Sequence, residues 1–386
     1  MVCFRYLIVN MSAVAEYGGF YICRFLRRNI YQKVWLQHIM CLMCRSCKKF
    51  ADFYRCRMDK IIPIVLATND NYAKYVPVTI CSILANLSSE FTYEFYIFHS
   101  GLAQATQDLI KKNPAYPQSA DYDINFIDVS RYIETAGFYA QERFSAEMWF
   151  RLLIPEILHN YDKVLYLDCD LIALQNIISL FKTDLGHNCV AAVKNFVGTK
   201  PKDIKRISKL GVEPDKYFNS GVLLFNVKAC NELGLKNKCL TTLNSEKELD
   251  YPDQDVLNMV CKNTTLLLDA KWNCTWHLLL YQASLNKNDT QEYEQAVNNP
   301  AIIHYTSDLK PWKYAFLPFA DICWKYALKT GLFDYDKAKK INKKDMPQTV
   351  SYKLFKIIPL FGFKKTTDKI AYKLFGISVF KRVYHK

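Results

Sequence analysis

The sequence predicts an α/β fold built on a mostly parallel central sheet. Three observations carry this. From residue 61 onward, apolar strand-like runs alternate with helical stretches. Several of those runs end in polar clusters. The chain of 386 residues, 51% hydrophobic, is long enough for one large or two medium domains. Strands alternating with helices pack as a parallel sheet, and ligands of such sheets bind beyond the carboxyl ends of strands.

The elements follow in order. "IIPIVLAT" from Ile61 reads as a buried strand, and "NYAKYVPVTICSILANL" as a helix with Pro77 an awkward interior residue. "YEFYIFHS" is a strand, "LAQATQDLIKKN" a helix and "DINFIDVS" a strand. "SAEMWFRLLIPEIL" reads as a helix capped by Ser145. "KVLYLDCD" is the next strand, followed by "CVAAVKNF" and "YFNSGVLLFNVKAC". Gly221 in the last of these points to a close approach by backbone or ligand. "PDQDVLNMVC" opens a helix with acids in its first turn. "AIIHYTSDLKPW" is a strand running into a loop.

Three segments are expected: an extension over 1–57, a domain over 58–330 and a basic tail over 331–386. Met58 stands directly before the first strand and reads as a natural start, or else 1–57 is a poorly ordered extension. The net charge of +14 is concentrated at the two ends. Residues 1–57 hold ten Lys/Arg against two acids, and 351–386 hold nine against one. The centre is nearly neutral, so the charge argues for a membrane surface or solvated tails rather than nucleic acid. "YKLFKIIPLF" (352–361) and "YKLFGISVFK" (372–381) repeat with the composition of basic amphipathic helices at an anionic membrane interface. Most of the fourteen cysteines are scattered singly, as in reduced cytosolic proteins. Cys41, Cys44 and Cys47 form a C-x2-C-x2-C group with no second half at zinc spacing. No run reaches the ~18 apolar residues of a spanning helix. The expected location is the cytoplasm, peripherally on the inner face of the cytoplasmic membrane.

The chemistry begins at Asp168 and Asp170. Two carboxylates at i and i+2 after a strand can converge on one hard cation, Mn²⁺ or Mg²⁺. Such a cation keeps open positions suited to phosphate oxygens. His304 ends a strand and offers a third ligand, and Lys310 offers a point charge for a diphosphate. Trp149 and Trp312 read as core.

Five ordered blocks resemble glycosyltransferase family 8, near the lipopolysaccharide galactosyl- and glucosyltransferases. They are "IVLATNDNYAKYVPVTICSIL", "DKVLYLDCDLIAL", "YFNSGVLLFNVKAC", "YPDQDVLNMV" and "IIHYTSDLKPW". The resemblance implies a GT-A fold, a UDP-hexose donor, a glycolipid or oligosaccharide acceptor, and retention of anomeric configuration. It also implies metal binding by Asp168, Asp170 and His304. Tyr72 would stack on uracil, with Ala67, Thr68, Asn69 and Asn71 lining the uridine. The main chain of Cys169 would lie by the ribose, and Ser307 and Lys310 by the diphosphate. Arg151, Asn219, Asp253 and Gln254 would surround the transferred sugar as the catalytic set. Asn69 and Ser307 depart from the family's usual Asp and Gly. Acceptor selection is expected in 194–216 and 275–298. The alternatives are a glycogenin-like glucosyltransferase and a catalytically silent sugar-nucleotide or membrane-binding protein.

Overall fold

The computed structural model describes residues 60–136, 146–196, 201–245, 249–275, 285, 287–306, 310–315 and 317–335, and the backbone of 361–366, 369–374 and 377–383. The extension over 1–57 with its cysteine group, Met58, Ser145 and Ser307 lie outside the described residues.

Among the described residues ten strands precede the C-terminal segment: β1 Ile61–Ala67, β2 Thr92–His99, β3 Tyr122–Asp128, β4 Lys163–Leu167, β5 Leu171–Ala173, β6 Val190–Lys194, β7 Phe218–Asn226, β8 Thr265–Leu268, β9 Cys274–Thr275 and β10 Ile302–His304. The main sheet has the order β3-β2-β1-β4-β7-β6-β8. Neighbours pair parallel except at β7, which runs antiparallel to both β4 and β6. The expected mostly parallel sheet is therefore present, with one reversed strand at its centre. A small second sheet, β5-β10-β9, pairs β10 antiparallel to β5 and parallel to β9.

Strand side chains alternate between two cores, which is why the strands read as continuous apolar runs. Ile62, Ile64 and Leu66 of β1 enter one core with Leu165, Leu167, Val222 and Leu224. Val65 enters the other with Val164, Tyr166, Leu223 and Phe225. Trp149 is fully buried in that second core, as expected.

Three local expectations are corrected. Pro77 is not interior: a 3-10 turn, Ala73–Tyr75, precedes the helix Val76–Leu84, so the proline lies in its first turn. There its missing N–H costs nothing. The stretch from Ala146 is not one α-helix but a 3-10 helix, Ala146–Leu153, followed by a short α-helix, Ile154–Ile157. Pro155 is the cause, because within one α-helix it would lack the bond to the Arg151 carbonyl and its ring would collide there. The expected C-terminal helix over 372–381 is replaced by strands. Residues 361–383 form the antiparallel order β11 Phe361–Thr366, β12 Lys369–Leu374 and β13 Ile377–Val383. The segments are rich in Ile, Val, Phe and Tyr and are separated by two residues each, which favours hairpins over helices. Residues 352–360 lie outside the described residues. Among the described residues no helix is long and apolar enough to cross a membrane.

Candidate active site

The reversed strand assembles the site. Because β7 runs against β4, its first residues lie beside the last residues of β4, and Asp168 N donates to the Gly221 carbonyl at 2.9 Å. β5, which follows the paired aspartates, carries β10 beside it, with His304 opposite Leu171. Residues 134 positions apart therefore meet. One ligand atom from each of Asp168, Asp170 and His304 lies within 4.8 Å of the others.

Around the aspartates every group has a defined role. His304 Nε2 lies 3.0 Å from Asp170 Oδ1 and 3.5 Å from Asp168 Oδ2. Asp168 Oδ1 accepts from Tyr166 at 2.7 Å and from Arg151 Nη2 at 3.1 Å. Lys310 pairs with Asp170 Oδ2 and donates to the Tyr305 carbonyl at 2.7 Å. Burial opposes ionisation of Asp170, but Lys310 and His304 prevail and hold its carboxyl below the usual range. Thr79 fixes the loop from beneath: its single hydroxyl proton is shared between the carbonyls of Cys169 (2.9 Å) and Leu171 (3.0 Å). Thr79→Val is expected to lower stability by about 1–2 kcal/mol, since it leaves buried carbonyls unsatisfied. A thermal melt checks this.

Hydrogen-bond logic fixes the His304 tautomer. Gly221 N–H donates at 3.0 Å to the Asn219 amide, so that atom is oxygen. The same Asn219 Oδ1 accepts from Asn273 Nδ2 at 2.8 Å. Asn273 therefore turns its oxygen toward His304 Nδ1, 2.9 Å away. An amide oxygen only accepts, so Nδ1 carries a proton. Nε2 is left to face two carboxylates, an arrangement satisfied by positive charge at that point. Gly221 keeps the space open: a Cβ there would sit 2.1 Å from His304 Cε1 and 2.7 Å from Asp168 Oδ2.

On the opposite side sit the remaining candidates. Arg151 is buried, reaches the Ser220 carbonyl at 2.6 Å, lies 3.3 Å from Asp253 Oδ2 and stacks over Tyr166 at 4.5 Å. Burial works against its charge, yet Asp168, Tyr166 and Asp253 raise its affinity for the proton. Burial pushes the Asp253 carboxyl up, although Arg151 partly offsets this. Gln254 Oε1 accepts from Asn219 Nδ2 and Ser220 N, both at 3.1 Å. Asp253 and Gln254 lie in the first turn of the helix Pro252–Cys261.

The turn that follows β1 has a local cause. Asn69 Oδ1 accepts from the N–H groups of Asn71 and Tyr72, each at 3.1 Å, forming a side-chain-closed turn. Tyr72 is 44% exposed at the end of β1, so its ring can receive a flat ligand. The Cys169 thiol donates to the Ala67 carbonyl at 3.0 Å and ties the ends of β4 and β1 together. Its side chain thus has a structural role beyond its main chain, and burial raises its thiol well above the ordinary range. Thr79, Tyr166, Ser220 and Asn273 were not singled out from the sequence. Ser220 alone had a signal, its place beside the flagged Gly221.

Comparison with known proteins bears on the fold and the family. The fold matches solved GT-A glycosyltransferases. The galactosyltransferase LgtC, in complex with donor and acceptor sugar analogues, aligns with TM-score 0.59 and 24% identity, covering 76% of this chain and all of that one. The chain belongs to glycosyl transferase family 8, whose description matches residues 63–315. It is 29% identical over 287 residues to the lipopolysaccharide 1,2-glucosyltransferase of Escherichia coli K12, covering 72% of this chain and 80% of the relative. It is 31% identical over 267 residues to glycosyltransferase GlyA of Streptococcus pneumoniae, covering 68% of this chain but about a third (34%) of that relative.

Proposed function

We propose that the protein is a retaining, divalent-cation-dependent hexosyltransferase. It moves galactose or glucose from a UDP-sugar to a lipopolysaccharide or related glycan acceptor. The observation that carries this reading is the convergence of Asp168, Asp170 and His304 at the carboxyl rim, next to the cations Lys310 and Arg151. The donor set of two carboxylates and one imidazole, whose Nδ1 faces Asn273 and whose Nε2 faces the carboxylates, fits Mn²⁺ or Mg²⁺. When bound, such an ion supplies Lewis-acid stabilisation of a departing diphosphate.

The chain's own residues account for the other requirements. Tyr72 offers its ring to uracil, with Ala67, Thr68, Asn69 and Asn71 lining the uridine. The Cys169 backbone would face the ribose. Lys310 neutralises diphosphate charge as a point cation. Arg151 and Asp253 hold each other and bind hydroxyls of the transferred hexose, with Asn219 beside them. Retention follows from attack on the leaving-group face. The bond from the anomeric carbon to the phosphate oxygen breaks as the bond to the acceptor oxygen forms, and that phosphate oxygen takes the acceptor's proton. Gln254 orients rather than attacks, because its carbonyl already accepts two hydrogen bonds and an amide is a poor nucleophile. Gln254→Ala is therefore expected to lower kcat about tenfold, within the range of a lost polar contact. Complete loss with donor affinity intact would contradict an orienting role.

The test of function is UDP release across a panel of UDP-sugars with Mn²⁺. Turnover of UDP-galactose or UDP-glucose supports the reading, and none with any UDP-hexose rejects it. The basic segment 351–386 supports peripheral attachment to an anionic inner membrane face. Co-sedimentation with anionic but not neutral vesicles, lost on deleting 351–386, is the expected result.

A further inference from the structure

We propose that Arg206 is a positioning residue for Gln254, acting through Asp255 and Tyr217. The inference rests on the transferase reading for its consequence, not for its geometry. Asp255 is fully buried behind Gln254, and as a carboxylate it accepts on both oxygens. Its Oδ1 receives Arg206 Nη1 at 2.8 Å and the Tyr217 hydroxyl. Its Oδ2 receives Tyr251 N–H at 3.0 Å. The Tyr217 hydroxyl has one proton, and it is committed to Asp255. Toward Gln254 that hydroxyl can therefore only accept, and Gln254 Nε2 donates to it at 2.9 Å. Burial and the neighbouring Asp255 push the Tyr217 hydroxyl up, so it keeps its proton.

Gln254 is thus clamped at both ends. Asn219 Nδ2 and Ser220 N–H hold its oxygen, and the Tyr217 oxygen holds its amino group. The second clamp depends on Asp255 remaining a pure acceptor. Arg206 supplies the compensating cation; among the described residues Asp250, 3.7 Å from its Nε, is the other acid paired with it. Removing Arg206 leaves a buried negative charge uncompensated. Without the guanidinium the Asp255 carboxyl is no longer held against the Tyr217 hydroxyl, and the clamp on the Gln254 amino group loosens while Asn219 and Ser220 still hold its oxygen.

Arg206 is itself held from outside the catalytic set. Its guanidinium lies over the rings of Tyr217 (5.2 Å) and Tyr251 (5.3 Å). Its helix, Pro201–Lys209, docks through Ile207 into a small core with Leu210, Val212 and Tyr217. That helix lies in the 194–216 segment expected to select the acceptor. Placement of the acceptor-side helix is therefore read out at Gln254 through three side chains.

Two measurements test this. With the UDP-hexose that the wild type turns over, Arg206→Met lowers kcat about tenfold while donor KM stays within about twofold. Arg206→Lys recovers most of that loss. In a Gln254→Ala background the Arg206→Met effect shrinks below about twofold. A tenfold effect in both backgrounds overturns the inference. Independently of activity, glutamine-selective 15N spectra follow the Gln254 amide, assigned by its disappearance in Gln254→Ala. Its hydrogen exchange accelerates about tenfold or more in Arg206→Met and in Tyr217→Phe. Unchanged exchange overturns the inference and leaves the transferase reading standing. Absence of turnover with every UDP-hexose sinks that reading, and the exchange measurement still decides the relay. If Arg206→Met does not fold, Tyr217→Phe and Arg206→Lys carry both measurements.

Discussion

Asp170→Ala is expected to abolish the proposed Mn²⁺-dependent UDP release, with a fall on the order of a thousandfold, the scale of several kcal/mol of lost charge stabilisation at the leaving group. The geometry gives two separate reasons. Asp170 Oδ1 faces His304 Nε2 at 3.0 Å, so its removal takes one of three candidate ligands from the site. Asp170 Oδ2 is also the carboxylate partner of Lys310, which is buried. Leaving that ammonium unpaired costs a few kcal/mol of stability. The two effects separate in the double variant Asp170→Ala with Lys310→Met. Its melting temperature returns toward wild type while UDP release and Mn²⁺ binding, read by titration calorimetry, stay lost. Activity surviving Asp170→Ala would remove the metal site from the mechanism.

Gly221→Ala is also expected to be severely damaging although it adds one methyl group. A Cβ would sit 2.1 Å from His304 Cε1 and 2.9 Å from His304 Nδ1. His304 cannot retreat, since it is 2% exposed and its Nδ1 is held by Asn273. Gly221 cannot retreat either, because it lies in β7 between β4 and β6 in the main sheet. Overpacking of this kind costs about 1–3 kcal/mol. Displacement of His304 should lower turnover about a hundredfold or more, the scale of a misplaced reacting group. Adding His304→Ala to Gly221→Ala restores the melting temperature without restoring activity. Wild-type turnover in Gly221→Ala would show that the imidazole has room to move.

Much of this site was legible in the residue order. The paired aspartates, His304 and Lys310 stand at strand ends or just after them, and strand ends are where α/β sheets hold ligands. Apolar runs such as "KVLYL" revealed a strand buried on both faces. The reversal of β7 was not legible, because two-faced burial looks the same whichever way a strand points. The 3-10 helix before Pro155 was hidden for a similar reason: a run of buried residues carries no polar face from which to count a period. The C-terminal segment mixed Lys with Leu and Phe at spacings that suit a helix face and a strand equally, and the backbone is strand over 361–366, 369–374 and 377–383. Thr79 and Asn273 escaped notice because each acts on groups distant in the chain. Thr79 bonds carbonyls 90 and 92 residues away, and Asn273 reaches His304 31 residues on.

The sequence distances within the site also order its assembly during folding. β1, β2 and β3 pair parallel and in chain order, and β4 joins β1. The bonds that complete the cation site span 134 residues, from Asp170 to His304, and 140 residues, from Asp170 to Lys310. Closing loops of that length costs entropy that contacts formed earlier must offset. The sheet is therefore expected to form before its rim is finished. A chain arrested before residue 304 would hold two clustered carboxylates with neither the imidazole nor the lysine that balances them. Catalytic competence is then a late event, and turnover reports on the completeness of the fold more stringently than secondary structure does.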